Sequence, residues 1–142
     1  MRHALVLGVL LCCTVPTSAA EVAAERTKLE GTWTAVSAQR DGKDAAEPVG
    51  HRLELAGERF RISAQGKTLY AGTYAIDPAP QPPHIDFRHD TGQAVGQTWQ
   101  GVYWLEGRTL SICDNAADPA KPRPKELAAA AGSGHVLIVF RP

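Results

Sequence analysis

Ala56-Gly57-Glu58, Gln65-Gly66-Lys67 and Gly107-Arg108 each separate two runs in which apolar and polar residues alternate. Connectors this short leave no length for a crossover, so the runs they join must pair antiparallel as hairpins. Eight runs rich in β-branched and aromatic residues lie along the chain: Thr32–Arg40, His51–Leu55, Arg59–Ala64, Thr68–Asp77, His84–His89, Trp99–Glu106, Thr109–Asp114 and His135–Arg141. Consecutive hairpins make a meander. Within the runs, Leu53 and Leu55 share one face and Arg52 and Glu54 the other. Phe60 and Ile62 oppose Arg59, Arg61 and Ser63, and Ile85 and Phe87 oppose Asp86 and Arg88. One apolar face on every strand is incompatible with an open flat sheet, which would leave that face and two edges bare. Curling the sheet on itself removes both costs, so the expected fold is all-β: an eight-stranded antiparallel up-and-down barrel, with a two-sheet sandwich as the alternative.

The first twenty residues fall outside this pattern. Arg2 and His3 precede an apolar run from Ala4 to Cys13, and Pro16-Thr17-Ser18-Ala19-Ala20 follows with small residues. That order is a signal peptide cleaved after Ala20, and the apolar run is too short to serve as a membrane span. A lipid anchor on Cys12 or Cys13 is disfavoured, because their predecessors, Leu11 and Cys12, are not small. Residues 1–20 are therefore the expected signal peptide, 21–30 a lead-in or short helix, and 31–142 the barrel domain. The protein is expected to be exported, to the periplasm or beyond, with no integral membrane segment after cleavage. Cleavage leaves Cys113 as the one cysteine. Stability must then come from the core rather than from disulfides. Following Leu110-Ser111-Ile112, Cys113 reads as a structural residue rather than a reactive thiol.

Charge narrows the range of partners. Lys+Arg and Asp+Glu number 15 each, so no broad positive field exists to hold a phosphate backbone, and nucleic acid is not an expected partner. Two connectors break the short-turn rhythm. Residues 78–83, Pro-Ala-Pro-Gln-Pro-Pro, read as a stiff, polyproline-like bridge. Residues 115–134 carry Pro119, Pro122 and Pro124, then Lys125–Ala131 with the composition of one or two helical turns, then Gly132-Ser133-Gly134. A connector so long is either a binding loop or lid, or a plain crossover.

An ordered set of segments carries a resemblance: Leu29-Glu30-Gly31-Thr32-Trp33-Thr34, Arg40-Asp41-Gly42-Lys43, Gly72-Thr73-Tyr74-Ala75-Ile76-Asp77, Gly101-Val102-Tyr103, Leu110-Ser111-Ile112-Cys113, Arg123-Pro124 and Gly132-Ser133-Gly134. Together they resemble the uncharacterised lipocalin-like domain family abundant in planctomycete bacteria. The resemblance implies an exported small barrel and no established activity. Leu127 departs from the aromatic that the resemblance implies after the Arg-Pro pair. Gly31-Thr32-Trp33 also resembles the G-x-W opening of lipocalins and other calycins. That likeness implies a tryptophan plugging the closed end of the barrel, its indole covered by an arginine near the last strand. Here the candidates are Trp33 and Arg141, and a guanidinium over an indole contributes about 0.5–2 kcal/mol.

The search for chemistry yields little. His84-x-Asp86-x-x-His89-Asp90 has metal-ligand residue types, but on a strand His84 and Asp86 share one face and His89 lies on the other, so no metal site is expected. Neither a Gly-x-Ser-x-Gly elbow, nor a phosphate-cradling glycine loop, nor a helix with paired carboxylates is present. Ser133 between two glycines reads as a hinge, and His51 and His135 as isolated residues at strand starts. The expectation is a non-catalytic protein without a cofactor. Its candidate site is the barrel interior, where Tyr70, Tyr74, Tyr103 and Trp99 would meet a small apolar ligand with a polar end. Gly72 and Gly101 would let backbone or ligand approach closely. The alternative is a protein-binding module, such as an inhibitor of another exported protein, inserting Glu21–Glu30 or the 115–134 loop, with outward Trp104 marking its contact surface.

Overall fold

The computed structural model describes residues 17–142. Most of the expected signal peptide, including Cys12 and Cys13, lies outside the described residues. All eight expected runs are strands: β1 (Gly31–Arg40), β3 (Arg52–Ala56), β4 (Arg59–Ala64), β5 (Lys67–Asp77), β6 (His84–Gly92), β7 (Thr98–Glu106), β8 (Thr109–Asp114) and β9 (Val136–Arg141). A two-residue stub, β2 (Lys43–Asp44), folds back on the end of β1. Every neighbouring pair is antiparallel, and β1 pairs with β9 from Thr34↔Arg141 to Arg40↔Val136. The eight long strands thus form a closed barrel.

Alternation places the core as the sequence implies. Leu53, Leu55, Phe60, Ile85, Phe87, Tyr103, Leu110, Ile112 and Phe140 are buried, while Trp104 turns outward. Eight strands around so small an interior need strong curvature, and register shifts that leave an extra residue in β1 between Ala35 and Ser37, and in β6 at Asp90 opposite Ala71 and Gly72, supply part of it. At Gly72 the strands approach so closely that a Cβ would run into the backbone carbonyl of Arg88. Backbone, then, fills the gap that this glycine leaves.

One end of the barrel is sealed by helix α1 (Ala19–Leu29). Ser18 caps it by accepting from the Glu21 N–H at 3.2 Å. The helix starts two residues earlier than the lead-in expected from the sequence, across the expected cleavage point. Leu29 is fully buried, and its carbonyl accepts the Trp33 indole N–H at 2.8 Å. Further along the helix, Glu25 accepts from the Tyr103 hydroxyl at 3.2 Å, and the Arg26 guanidinium lies 5.2 Å from the Tyr74 ring centroid. The turns at 57–58 and 107–108 and the 78–83 connector share this end. That connector bends at successive residues and contains a cis Gln81–Pro82 peptide, instead of running as an extended rod.

Trp33 does plug the closed end, but Arg141 does not cover it. The register sets Arg141 opposite Thr34 on the outer face, where it is exposed, while Trp33 points inward. The helix supplies the cover that was expected from the arginine.

Residues 115–134 form a strap bonded along the outside of the barrel. They contain no helix; Lys125–Leu127 is a series of bends, because proline and the pull of the barrel wall override the alanine-rich composition. Asn115, 1% exposed, accepts from the Gln100 N–H at 2.9 Å and donates to the Lys121 carbonyl at 2.8 Å. Arg123 donates to Asp86 at 2.6 Å and to the Gly101 carbonyl at 2.8 Å. Gly42 donates to the Ala129 carbonyl at 2.6 Å, and His135 lies 3.0 Å from the Pro122 carbonyl. Val102 and Cys113, paired on the outer face, are buried beneath the strap, whose own Ala129 is buried as well. A crossover, not a lid, is what these bonds describe.

Candidate functional site

Opposite the helix, the barrel stays open. A cavity of about 350 Å³ runs inward from this mouth. Its wall is apolar and aromatic: Leu53 and Ile62 from β3 and β4, Tyr70 from β5, Phe87 from β6, Trp99 from β7, Ile112 from β8, and Ile138 and Phe140 from β9. The polar groups gather at the rim, where Arg40, Glu47, His51 and Asp114 line the opening. The loop before β3 brings Glu47 there. It is held by Gly50 N–H to the Ala35 carbonyl at 2.8 Å and by Ala35 N–H to the His51 carbonyl at 2.9 Å. Glu47 pairs with Arg40 at 3.5 Å and lies 3.8 Å from His51.

The four aromatic residues proposed from sequence divide between the two ends. Tyr70 and Trp99 line the cavity, their rings 5.0 Å apart in an edge-to-face arrangement. Tyr74 and Tyr103 belong to the sealed end, beneath Arg26 and Glu25 of the helix. Burial pushes the Tyr103 phenol above its usual range, and the Glu25 carboxylate adds to the shift. For Tyr74 burial again dominates and raises the pKa, while Arg26 opposes it.

His89 stands beside the cavity wall. It is 2% exposed, with ring centroids 4.0 Å from Trp99, 5.1 Å from Phe60 and 5.7 Å from Tyr70. Neither ring nitrogen has a hydrogen-bond partner. Burial pushes its pKa down to about 4, so the imidazole is neutral at ordinary pH and behaves as one more aromatic wall. The rest of its sequence cluster points away. His84 and Asp86 lie on the outer face, Asp86 engaging Arg123, and Asp90 pairs with Arg59 at 2.9 and 3.2 Å. Among the described residues no three His, Cys, Asp or Glu side chains come together as a metal site would require. Cys113 is fully buried and lies 3.5 Å from the Ala128 carbonyl, and burial pushes its thiol up to about 12. It stays protonated at neutral pH, which is unsuited to a nucleophile.

Asp114 was not singled out by sequence. It lies at the inward-facing end of β8, two residues on from Ile112, and keeps partial exposure through the cavity mouth. Burial pushes its carboxyl up to about 7, and the Ala116 N–H, donating at 3.0 Å, pulls only weakly the other way. A terminal acidic residue on a strand usually means a solvated turn, so the signal lay only in parity: positions 110, 112 and 114 share one face.

Comparison with protein-family models, with curated proteins and with solved structures gives no match for this chain.

Proposed function

We propose that this is an exported, lipocalin-like protein that holds a small apolar ligand in the open half of its barrel. The observation that carries this reading is the cavity itself: about 350 Å³, aromatic and aliphatic in its depth and polar only at its rim. Pockets of that size and lining bury most of a small ligand and orient it through a few polar groups at the opening. Tyr70 and Trp99 supply the wall that the sequence pointed to. Export is supported by the N-terminal residue order, and a chain beginning at Glu21 keeps Val22, Glu25, Arg26 and Leu29 against the barrel while losing the Ser18 cap.

The test is titration with the uncharged fluorophore N-phenyl-1-naphthylamine. Saturable fluorescence enhancement is expected, and Ile138→Trp, which fills the cavity from β9, should abolish it. Enhancement that persists in the filled variant, or none in the native chain, would overturn the reading. A second reading, binding of another protein, draws on Trp104, which is 45% exposed on the outer face of β7. The bonded-down strap argues against loop insertion as its mode.

A further inference from the structure

Among the described residues, the rim of the cavity holds an acid without a counter-ion. On β8, Asp114 is flanked by Gly101 of β7 and Val136 of β9, so neither cross-strand neighbour offers it a donor. A Cβ on Gly101 would stand 2.7 Å from the Cys113 carbonyl oxygen and 2.9 Å from the Asp114 Cβ, so β7 and β8 approach there as closely as only glycine allows. Among the described residues, its one side-chain hydrogen bond is the 3.0 Å contact from the Ala116 N–H. The other oxygen is not a sealed, unpartnered atom, and the residue lines the cavity. Arg40, the guanidinium on the same rim, is occupied by Glu47. Two residues from Gly101 on the same face of β7 stands Trp99, a diagonal neighbour of Asp114 across the strand pair. Tyr70 and Phe87 complete an aromatic wall below it.

We propose that the cavity takes an organic cation, a small amine whose ammonium group meets the Asp114 carboxylate and whose apolar body lies against Trp99, Tyr70 and Phe87. This deepens the ligand-binding reading and rests on it. A carboxylate with no internal counter-ion costs free energy when ionised in a cavity, and an incoming ammonium reduces that cost with a charge-assisted hydrogen bond. The aromatic faces favour the same sign of charge. A carboxylate ligand would meet Asp114 and Glu47 as like charges, and its natural partner, Arg40, is already paired. An alcohol would gain the apolar wall but no ion pair.

Isothermal titration of the protein with 3-phenylpropylamine, 3-phenylpropan-1-ol and 3-phenylpropanoate separates these cases, since the three share one apolar body. At pH 8 the amine should bind about tenfold or more tighter than the alcohol, with the carboxylate weakest. The advantage should shrink towards pH 5 as Asp114, whose carboxyl sits near pH 7, takes up a proton. Glu47, His51, Arg40 and Tyr70 also face the cavity, so the same profile is measured in Asp114→Asn, which retains all four. That variant should lose most of the amine's advantage over the alcohol at pH 8 and keep the native affinity for the alcohol. Equal amine and alcohol binding by the native chain at pH 8, or an amine advantage undiminished in Asp114→Asn, would overturn the assignment while leaving the cavity reading intact. Binding of none of the three compounds would overturn both.

Discussion

The two ends of the barrel are built from the same alternating strands and reach opposite outcomes. At the helix end, Leu29, Trp33, Leu55, Phe60 and Tyr103 fill the interior, and every one of them is at most 6% exposed. At the mouth, Ile62, Tyr70 and Ile138 are only partly buried and line open space. The difference is one added layer. Eleven residues of α1 lie across the first end, whereas the second is crossed only at its edge by the 45–51 loop and the start of the strap. A barrel of this size has interior enough for side chains or for one small guest, and the presence of a cover decides which. Packing is thereby concentrated at one end, and the other keeps an open cavity.

The largest way to test that division is to shorten one apolar side chain at each end. Leu29→Ala should lower unfolding free energy by about 3 kcal/mol, because it opens a void in a filled region. Ile138→Ala, which enlarges a space already present, should cost about 1 kcal/mol. Urea midpoints with an unchanged slope check both, and equal losses would break the comparison.

Next in size is an opposed pair of pH effects, both at the cavity end. Asp114 has its folded pKa raised from 3.8 to about 7. Its contribution to stability is therefore fully present below about pH 4 and is lost as pH rises to about 7. His89 has its folded pKa lowered from 6.5 to about 4. Between those values the unfolded chain binds the proton and the folded chain does not, so stability is lost as pH falls from 6.5 to about 4. Relative to the native chain, Asp114→Asn should gain stability as pH rises from 4 to 7. His89→Phe should gain it as pH falls from 6.5 to 4. Each change should reach about 2 kcal/mol, less than the full shifts imply, because the carboxyl keeps some access to water through the mouth and a folded barrel can relax around the ring. Denaturant titrations from pH 4 to 8 measure both, and parallel profiles in the three chains would refute the burial of these groups.

The strap gives a smaller effect. Arg123→Ala removes one charge-assisted bond to Asp86 and one to the Gly101 carbonyl, and should cost about 1–2 kcal/mol. Amide exchange should quicken first along residues 115–134, with the helix end unaffected. Smallest of all, Trp104→Ala should change stability by less than about 0.5 kcal/mol, as its ring adds nothing to either end.

The strands were legible because each carries its own instruction. Leu53-Glu54-Leu55 and Phe60-Arg61-Ile62 state their inner face locally, and two- or three-residue turns state their pairing, so the order and closure of the barrel follow from sequence with β4 and β8 bounded as expected. The covers were legible only in part. Ala-rich α1 has almost no amphipathic signal, and only Leu29 is buried among its residues, so nothing local said that it seals an end or that it, rather than Arg141, would cover Trp33. Likewise Lys125–Ala131 favours a helix by composition, yet Arg123, Asn115 and His135 fasten the segment to the wall in an irregular path.

By itself the sequence determined the eight strands, their antiparallel order, which side of each faces inward and the inwardness of Tyr70, Tyr74, Tyr103 and Trp99, because period-2 alternation and turn length act within a few residues. Tertiary structure alone decided which of those aromatics meet a cavity and which are sealed beneath the helix, and that Asp114 sits in the rim with no counter-ion among the described residues. Those outcomes depend on which elements lie across each end of the barrel and on which polar groups of other loops reach the mouth, since the cross-strand neighbours of Asp114, Gly101 and Val136, come from the adjoining strands and bring it no side-chain donor. No local pattern encodes what lies across a barrel end, since burial and electrostatics are properties of the space a residue enters rather than of the segment that carries it.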